Sequence, residues 1–576
     1  ARVEKDKLDH LYYGHSLSRI IHYIVSIRIH LPTTKILLAK TDLKAAYRRI
    51  TLHGDMAARC IITTGDIALL SLRLTFGGTP CPNEFCVMSE MIADLANDIL
   101  HCPNWNPIDL HSPHTISLPL ERDSTDSSPF LPGKELDVDI PLDTKGKVEI
   151  YIDDGITAIP DLDDNKIRGT NAMALAIHTI CRPVAENEPI LRDDCLSLSK
   201  LAEEGTLSES ANILGWKINT RTLSISLTPD KFNTWILDIK KILENKKSAQ
   251  EELETLLGRL NHAAAVLPLA RYFLNRIRLS TIQSSNPTAN GHHAPKKKIK
   301  WLPKPALHDL QLFHDVFLPK IYKGISLNLL TYRRPSHILF SDACPKGLGG
   351  YSLSSGCAWR WKIPSDYIDS VKTKNNLLEF LAAMVTIWAE LTKESTPPLS
   401  CILALGDNTS AVGWLHNVNV DETNNKALHL TSRKLATILM DANCCLYSQH
   451  FKGGFNEVAD CLSRRHDLSD KDLLSFILSY YPDQVPDTFA IDQLPPSITS
   501  WMIWLLQKNK DHMEFSNKQK TKKREHGQDG QLTSNVSKIP TILSCNESDP
   551  SCGQGFSEPS ALPSAKGCFQ EKIKNA

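Results

Sequence analysis

Three observations predict a multidomain α+β chain. At 576 residues the sequence exceeds what one hydrophobic core organises, which points to three or four domains. Apolar residues make up 41%, enough for packed cores and too many for wholesale disorder. Strand-like and helix-like apolar patterns also alternate along the chain, with neither prevailing.

The elements follow in order. Residues 1–100 alternate helix-like and strand-like patches, among them the apolar stretch Ile36-Leu-Leu-Ala. In residues 101–146 Pro, Ser, Asp and His displace apolar periodicity, as in a long surface insertion. Order resumes at Val148, where β-branched residues lead into Asp153-Asp154-Gly155 and predict a tight hairpin. Residues 231–280 read as helices. Trp235, Ile239 and Ile242 share one face, and Leu253, Leu256, Leu257 and Leu260 share another. Residues 281–335 read as a linker containing a Lys296–Lys300 cluster. A second α/β region fills 336–466, and 467–507 extends it. From residue 508 the chain is rich in Lys, Gln, Ser, Asn and Gly and is expected to be disordered.

Bulk properties narrow the class. Formal net charge is zero, so a polyanion would have to be bound through local patches. The apolar run Trp501-Met-Ile-Trp-Leu-Leu is far too short to span a membrane, so no membrane partner is expected. No leader pattern opens the chain, and Ala1 reads as a cut into a longer polypeptide or an incomplete gene model. The fifteen Cys residues show no zinc-ligand spacing and suggest reduced thiols in an intracellular protein.

Acidic residues carry the chemistry. Adjacent carboxylates such as Asp153 and Asp154 repel unless a cation lies between them, and a metal ion accounts for such a pair. Alone, the pair would be an ordinary solvated turn. A third acid, Asp42, ends the apolar stretch, and Tyr47 follows five residues later. Between them and the pair lies Leu74-Thr-Phe76-Gly77-Gly-Thr-Pro-Cys-Pro82-Asn-Glu-Phe85, whose glycines let backbone approach a ligand. A second set comprises Asp342, Glu379, Asp407 and Asp460, each at the end of a separate predicted element, with His450 ten residues before Asp460. Singly, Glu379 is an ordinary helix carboxylate and Asp407 a simple N-cap. Jointly, four such acids form the pattern of a two-metal nuclease.

The first set resembles the palm of a reverse transcriptase. Asp42 with Tyr47 is similar to its first motif, Phe76-Gly77 with Pro82 and Phe85 to its second, and Tyr151-Ile-Asp153-Asp154 to its third. Ile213-Leu-Gly215-Trp and Pro229-Asp-Lys231 resemble the segments that close the palm, and Leu256-Leu-Gly258-Arg-Leu-Asn the start of the thumb. The resemblance implies a palm within 1–230, a helical thumb at 231–280, and truncated fingers, since only about 40 residues precede Asp42. It implies that Asp42 and Asp153 bind two Mg²⁺ ions (Mn²⁺ as substitute) with Asp154 in support. Tyr47 would exclude a 2′-OH, and Phe76-Gly77 would line the dNTP site. The second set resembles a retroelement RNase H domain. That implies metal binding by Asp342, Glu379, Asp407 and Asp460, with His450 moving a proton or aiding product release. The wording around Leu257-Gly258 and Gly406-Asp407-Asn408 is similar to DIRS-type elements, with Ty3-type and pararetrovirus polymerases next.

The implied partners are an RNA template, a DNA primer, an RNA–DNA hybrid and dNTPs. Lys240, Lys241, Lys296, Lys297 and Lys298 are candidate phosphate contacts, or a solvated face. A nucleic-acid scaffold without turnover, or a degenerate copy in which only the nuclease works, stays open at this level.

Overall fold

In the computed structural model the apolar run Ile36-Leu-Leu-Ala is the buried heart of strand β1 (Ile36–Asp42). The structure describes residues 13–78, 81–122, 126–138, 143–184, 187–189, 192–282, 299–371, 374–415 and 426–525, with side chains to residue 514. The chain divides into two compact units. One is Ala1–Ser336 with Pro397–Cys401 and Ala436–Cys445; the other is His337–Thr396 with Ile402–Leu435 and Leu446–Ala576.

In the first unit, β2 (Ile62–Thr64) and β3 (Ile67–Leu69) make an exposed hairpin. Strands β4 (Lys147–Tyr151) and β5 (Asp154–Pro160) then form a sheet of order β1-β5-β4, antiparallel throughout. Helices Ser16–His30, Cys81–His101 and Asn165–Cys181 pack on it. Burial on both faces explains why β1 reads as a continuous apolar run rather than an alternating one.

A second sheet joins β6 (Ser210–Ile213), β7 (Trp216–Asn219) and β8 (Ser224–Leu227). Leu214 and Gly215 turn β6 into β7, both at positive φ (50° and 80°), as a two-residue hairpin of matching twist requires. Lys231 Nζ donates to the Gly215 carbonyl at 2.9 Å, and His262 stacks on Trp216 at 4.6 Å. Three segments singled out from the sequence therefore meet around one turn.

Helices Pro229–Asn245 and Gln250–Ala263 bury Trp235, Ile239 and Ile242 and Leu253, Leu256 and Leu260, the expected faces. The stretch read as a linker is structured from Ile299. Strand β9 (Lys247–Ala249) pairs with β10 (Ile299–Trp301), and β11 (Ile325–Ser326) adds to β8. The apolar residues Ala306, Leu310, Phe313, Phe317 and Ile321 lie 3–4 apart and are buried. That helical period was hidden by the polar residues between them. Residues 101–146, read as a surface insertion, are in part docked inward. Trp105 and Leu136 are buried, and Phe130 lies under the guanidinium groups of Arg28 and Arg221.

In the second unit, β12 (His337–Cys344), β13 (Gly347–Ser352), β14 (Cys357–Lys362), β15 (Cys401–Gly406), β16 (Cys445–His450) and β17 (Ala490–Ile491) form one mixed sheet. Its order is β16-β15-β12-β13-β14-β17, with β15 parallel to β12. Helices Asn375–Leu391 and Glu457–Arg464 pack on it. The run Gly347-Leu-Gly-Gly has a steric reason: a Cβ on Gly349 would lie 2.6 Å from Leu462 Cβ and 2.7 Å from its carbonyl carbon. Only glycine lets the helix carrying Asp460 come this close to β13.

Helix Pro496–Glu525 runs through 508–525, where composition suggested disorder. Its stripe Ile498, Met502, Leu505 and Asn509 is buried, and the Lys, Gln and Glu that follow are good helix formers.

The second unit also holds a buried carboxylate with four hydrogen-bond donors around it. Glu390, 2% exposed, accepts from His337 Nδ1, Ser352 Oγ, Ser355 Oγ and Lys393 Nζ, each at 2.9 Å. Burial would raise its pKa, but His337, Lys393 and Ser352 overcome that and hold it near 2 against an ordinary 4.5. A depressed carboxylate stabilises the fold above its unfolded pKa and loses that contribution as pH falls toward its folded value. Glu390→Gln is therefore expected to cost about 3 kcal/mol at pH 7 in denaturant unfolding. An unchanged unfolding midpoint would count against this account.

Candidate active sites

The first acid site is built by strand register. Asp42 ends β1 directly opposite Asp154, the first residue of β5, and Tyr151 pairs with Asp154 across the β4–β5 hairpin. Ile152 and Asp153 form the turn, with Ile152 at φ 58°. A β-branched residue in the left-handed region stores about 1–3 kcal/mol of strain, and here it supports the turn that carries the acids. The Leu43 N–H donates to the Asp153 carbonyl at 3.1 Å, tying the turn back to β1.

Two cations line this site that the motifs did not include. Lys200 Nζ lies 2.6 Å from Asp42 Oδ1, and Lys40 Nζ lies 3.1 Å from Asp154 Oδ1 and 3.2 Å from Glu204. Lys40 could have been found, because two-residue alternation puts it on the same face of β1 as Asp42. Lys200, 158 residues from Asp42, left no local signal. Burial raises the Asp153 pKa, and Asp42 adds to it; burial also raises Asp154, with Asp42 and Asp153 adding and Lys40 opposing. Burial would lower Lys40, but Asp154 and Glu204 raise it on balance.

Tyr47 is buried in a short 3-10 turn, Ala46–Arg49. Its ring touches Phe76 edge-on at 4.6 Å and lies 5.0 Å from Phe85. Phe76 is 68% exposed and presents its outer face to solvent. Gly77, at φ 87°, has open space where a Cβ would stand.

The second site is tighter. Asp342 lies within β12, Glu379 in the first turns of its helix, and Asp407 just after β15. They offer ligand atoms all within 4.8 Å of one another. Asp42, Asp153 and Asp154 form no such group among the described residues. Burial, with Asp342 and Asp407 adding, pushes Glu379 up to about 9. Burial also raises Asp342 to about 6, opposed by the Ser463 hydroxyl and helped by Asp407 and Asp460. Two buried carboxylates that resist ionisation, with half-buried Asp407 beside them, are a donor set that suits a divalent cation.

Asp460 stands outside that tight group. It sits on helix Glu457–Arg464, half-exposed and paired with Arg464. Ser463 on the same helix donates to Asp342 Oδ2, a contact the sequence did not suggest. His450 is exposed at the end of β16, its Nε2 donating to the Asp407 carbonyl at 3.1 Å. Gly453 comes so near that a Cβ there would lie 2.9 Å from Asp407 Oδ2. Of the candidate phosphate contacts, Lys240 is exposed and Lys241 pairs with Glu252 at 2.9 Å. Lys296, Lys297 and Lys298 lie outside the described residues.

No protein-family model matches the chain, and no curated protein matches it. Among solved structures it is similar to the foamy viral protease-reverse transcriptase in complex with RNA/DNA hybrid (12% identity, TM-score 0.32, covering 74% of this chain and 45% of that one). It is also similar to a prototype foamy virus protease-reverse transcriptase mutant (12%, 0.18, 78% and 46%). A third match is a foamy viral protease-reverse transcriptase bound to double-stranded DNA (11%, 0.18, 72% and 58%). The chain thus spans about half the length of these proteins. Likeness at this level does not itself define an activity. Among the described residues no helix is long and apolar enough to cross a membrane.

Proposed function

We propose that this chain is the polymerase–nuclease portion of a retroelement, of DIRS type by its motifs. It would copy RNA into DNA and degrade the RNA of the resulting hybrid, inside the cell. The observation that carries the reading is that acids far apart in sequence gather at two separate sheet-borne sites. Asp42 stands opposite Asp154 in one, and Asp342, Glu379 and Asp407 converge in the other.

In the first site Asp42 and Asp153, with Asp154 beside them, would hold Mg²⁺. In the second Asp342, Glu379, Asp407 and Asp460 would do so. Bound there, the cations would activate the attacking oxygen and stabilise charge on the phosphate being transferred or cut. The protein's share is positioning and charge. Tyr47, fixed by Phe76 and Phe85, would be a rigid floor that leaves no room for a 2′-OH on the incoming dNTP. Ser463 keeps the Asp342 carboxylate oriented. His450, beside Asp407 and open to solvent, would move a proton or aid product release at the scissile phosphate. The hybrid would be read through its 2′-hydroxyls and backbone rather than its base sequence, with exposed Lys240 among the phosphate contacts.

A second reading, a chain with only the nuclease working, draws on one observation: Lys200 and Lys40 already pair with Asp42 and Asp154. One purified sample decides between them. It is assayed with Mg²⁺ and then Mn²⁺ for dNTP incorporation on poly(rA)/oligo(dT) and for cleavage of a labelled RNA–DNA hybrid. Both activities are expected. Cleavage alone supports the second reading, and silence in both overturns the proposal.

A further inference from the structure

A second kind of donor cluster lies away from both acid sites. His114, His178 and Asp194 offer ligand atoms within 4.8 Å of one another. His114 Nε2 is 3.1 Å from Asp194 Oδ2, and His178 Nε2 is 3.4 Å from Asp194 Oδ1. The imidazole rings meet edge to face with centroids 5.4 Å apart. We propose that these three side chains bind a Zn²⁺ ion, a site that stands whether or not the chain polymerises DNA.

The geometry suits a cation. A distance of 3.4 Å is long for N–H···O. Around tetrahedral Zn²⁺, with metal–ligand bonds of about 2.0–2.2 Å, neighbouring donor atoms stand roughly 3.3–3.5 Å apart. The 3.4 Å separation matches that edge length, and the 3.1 Å separation, which runs to the other carboxylate oxygen, is a little shorter. Two imidazoles and one carboxylate are also a donor set that Zn²⁺ accepts, with water completing the tetrahedron. Mg²⁺ and Ca²⁺ prefer all-oxygen sites.

The donors are held in place by other contacts. The helix Asn165–Cys181 carries Arg168, Asn171 and His178 at spacings of three and seven, one face of a helix. Arg168 donates to the carbonyls of Cys102 (3.1 Å) and Trp105 (2.9 Å). Asn171 Oδ1 accepts from the Ser112 N–H at 2.9 Å and from the Thr115 hydroxyl, so the residues flanking His114 are pinned. Asp194 is oriented by the Leu196 N–H at 2.8 Å.

The site also reaches the first acid cluster. The Cys195 carbonyl accepts from the Lys44 N–H, and the Ser197 N–H donates to the Asp42 carbonyl, each at 2.9 Å. A cation at Asp194 would therefore join the docked 101–122 segment, the helix, and the strand segment that holds the Asp42 backbone.

The test uses the full chain, stripped of metal and titrated with Co²⁺ and then Zn²⁺. One equivalent of Co²⁺ should give the strong visible absorption of a tetrahedral nitrogen-containing site, which Zn²⁺ then bleaches. One Zn²⁺ should survive dialysis against Mg²⁺, and it should raise the melting temperature by several degrees. His114→Ala and His178→Ala should lose the absorption and the retained Zn²⁺, while Glu379→Gln keeps both. Should His178→Ala not fold, His114→Ala, at a partly exposed side chain, still decides. Equal Zn²⁺ retention and equal absorption in wild type and His114→Ala would overturn the proposal. So would a wild-type chain that retains no Zn²⁺, leaving a hydrogen-bonded His–Asp–His clamp.

Discussion

Asp153→Asn is expected to lower template-directed dNTP incorporation about a thousandfold or more, because several kcal/mol of transition-state stabilisation depend on charge at that position. Hybrid cleavage should stay at the wild-type rate. Asp153 lies in the β4–β5 turn of the first unit, and Asp342 and Asp407 lie on and just beyond strands of a different sheet. Asn keeps the side chain's size, so the turn should survive. Asp407→Asn should give the converse pattern: cleavage lost by a similar factor, incorporation unchanged. The two variants are measured side by side in both assays. If Asp153→Asn lowered both activities alike, one site would be serving both reactions and the two-site account would fail. If it changed neither while wild type polymerised, Asp153 would have no part in the chemistry.

Asp42 and Asp407 could be picked out of the sequence because each sits where an apolar run stops. The core-filling Ile36–Ala39 announces β1 and leaves Asp42 at its end. Cys401–Leu405 does the same for Asp407. Such positions need no knowledge of what packs across from them. The partners of those acids do need it. Lys200 reaches Asp42 from a short helix in another part of the chain, and Ser463 reaches Asp342 from a helix packed on the sheet. The docking of 101–122 was equally hidden, because it is made by Arg168, Asn171 and His178 on a helix whose polar residues look like a solvated face. The helical continuation past residue 508 was masked by composition, since Lys, Gln and Asn are common in disorder as well as on exposed helix faces.

The largest effect on stability should come from pH in the absence of divalent cations. Glu379 is held up at about 9 and Asp342 at about 6, chiefly by burial and by the acids around them. Their ordinary values are 4.5 and 3.8. A carboxyl group with a raised folded pKa binds its proton more tightly folded than unfolded. Stability therefore falls as pH rises between the two values. For Asp342 that window runs from about 4 to 6, and for Glu379 from about 4.5 to 9. Cation-free protein should lose several kcal/mol between pH 5 and 9, read as a falling urea midpoint for the second unit. Millimolar Mg²⁺ should restore most of it at pH 8 and little at pH 5, where protons compete with the ion for the same oxygens. Glu379→Gln should flatten the profile and make the cation-free protein more stable at pH 8 than wild type, while abolishing hybrid cleavage. A wild-type midpoint that stayed level from pH 5 to 9 without cations would mean that Asp342 and Glu379 do not share a buried site. A Glu379→Gln protein that still cleaved would separate that burden on stability from the reaction.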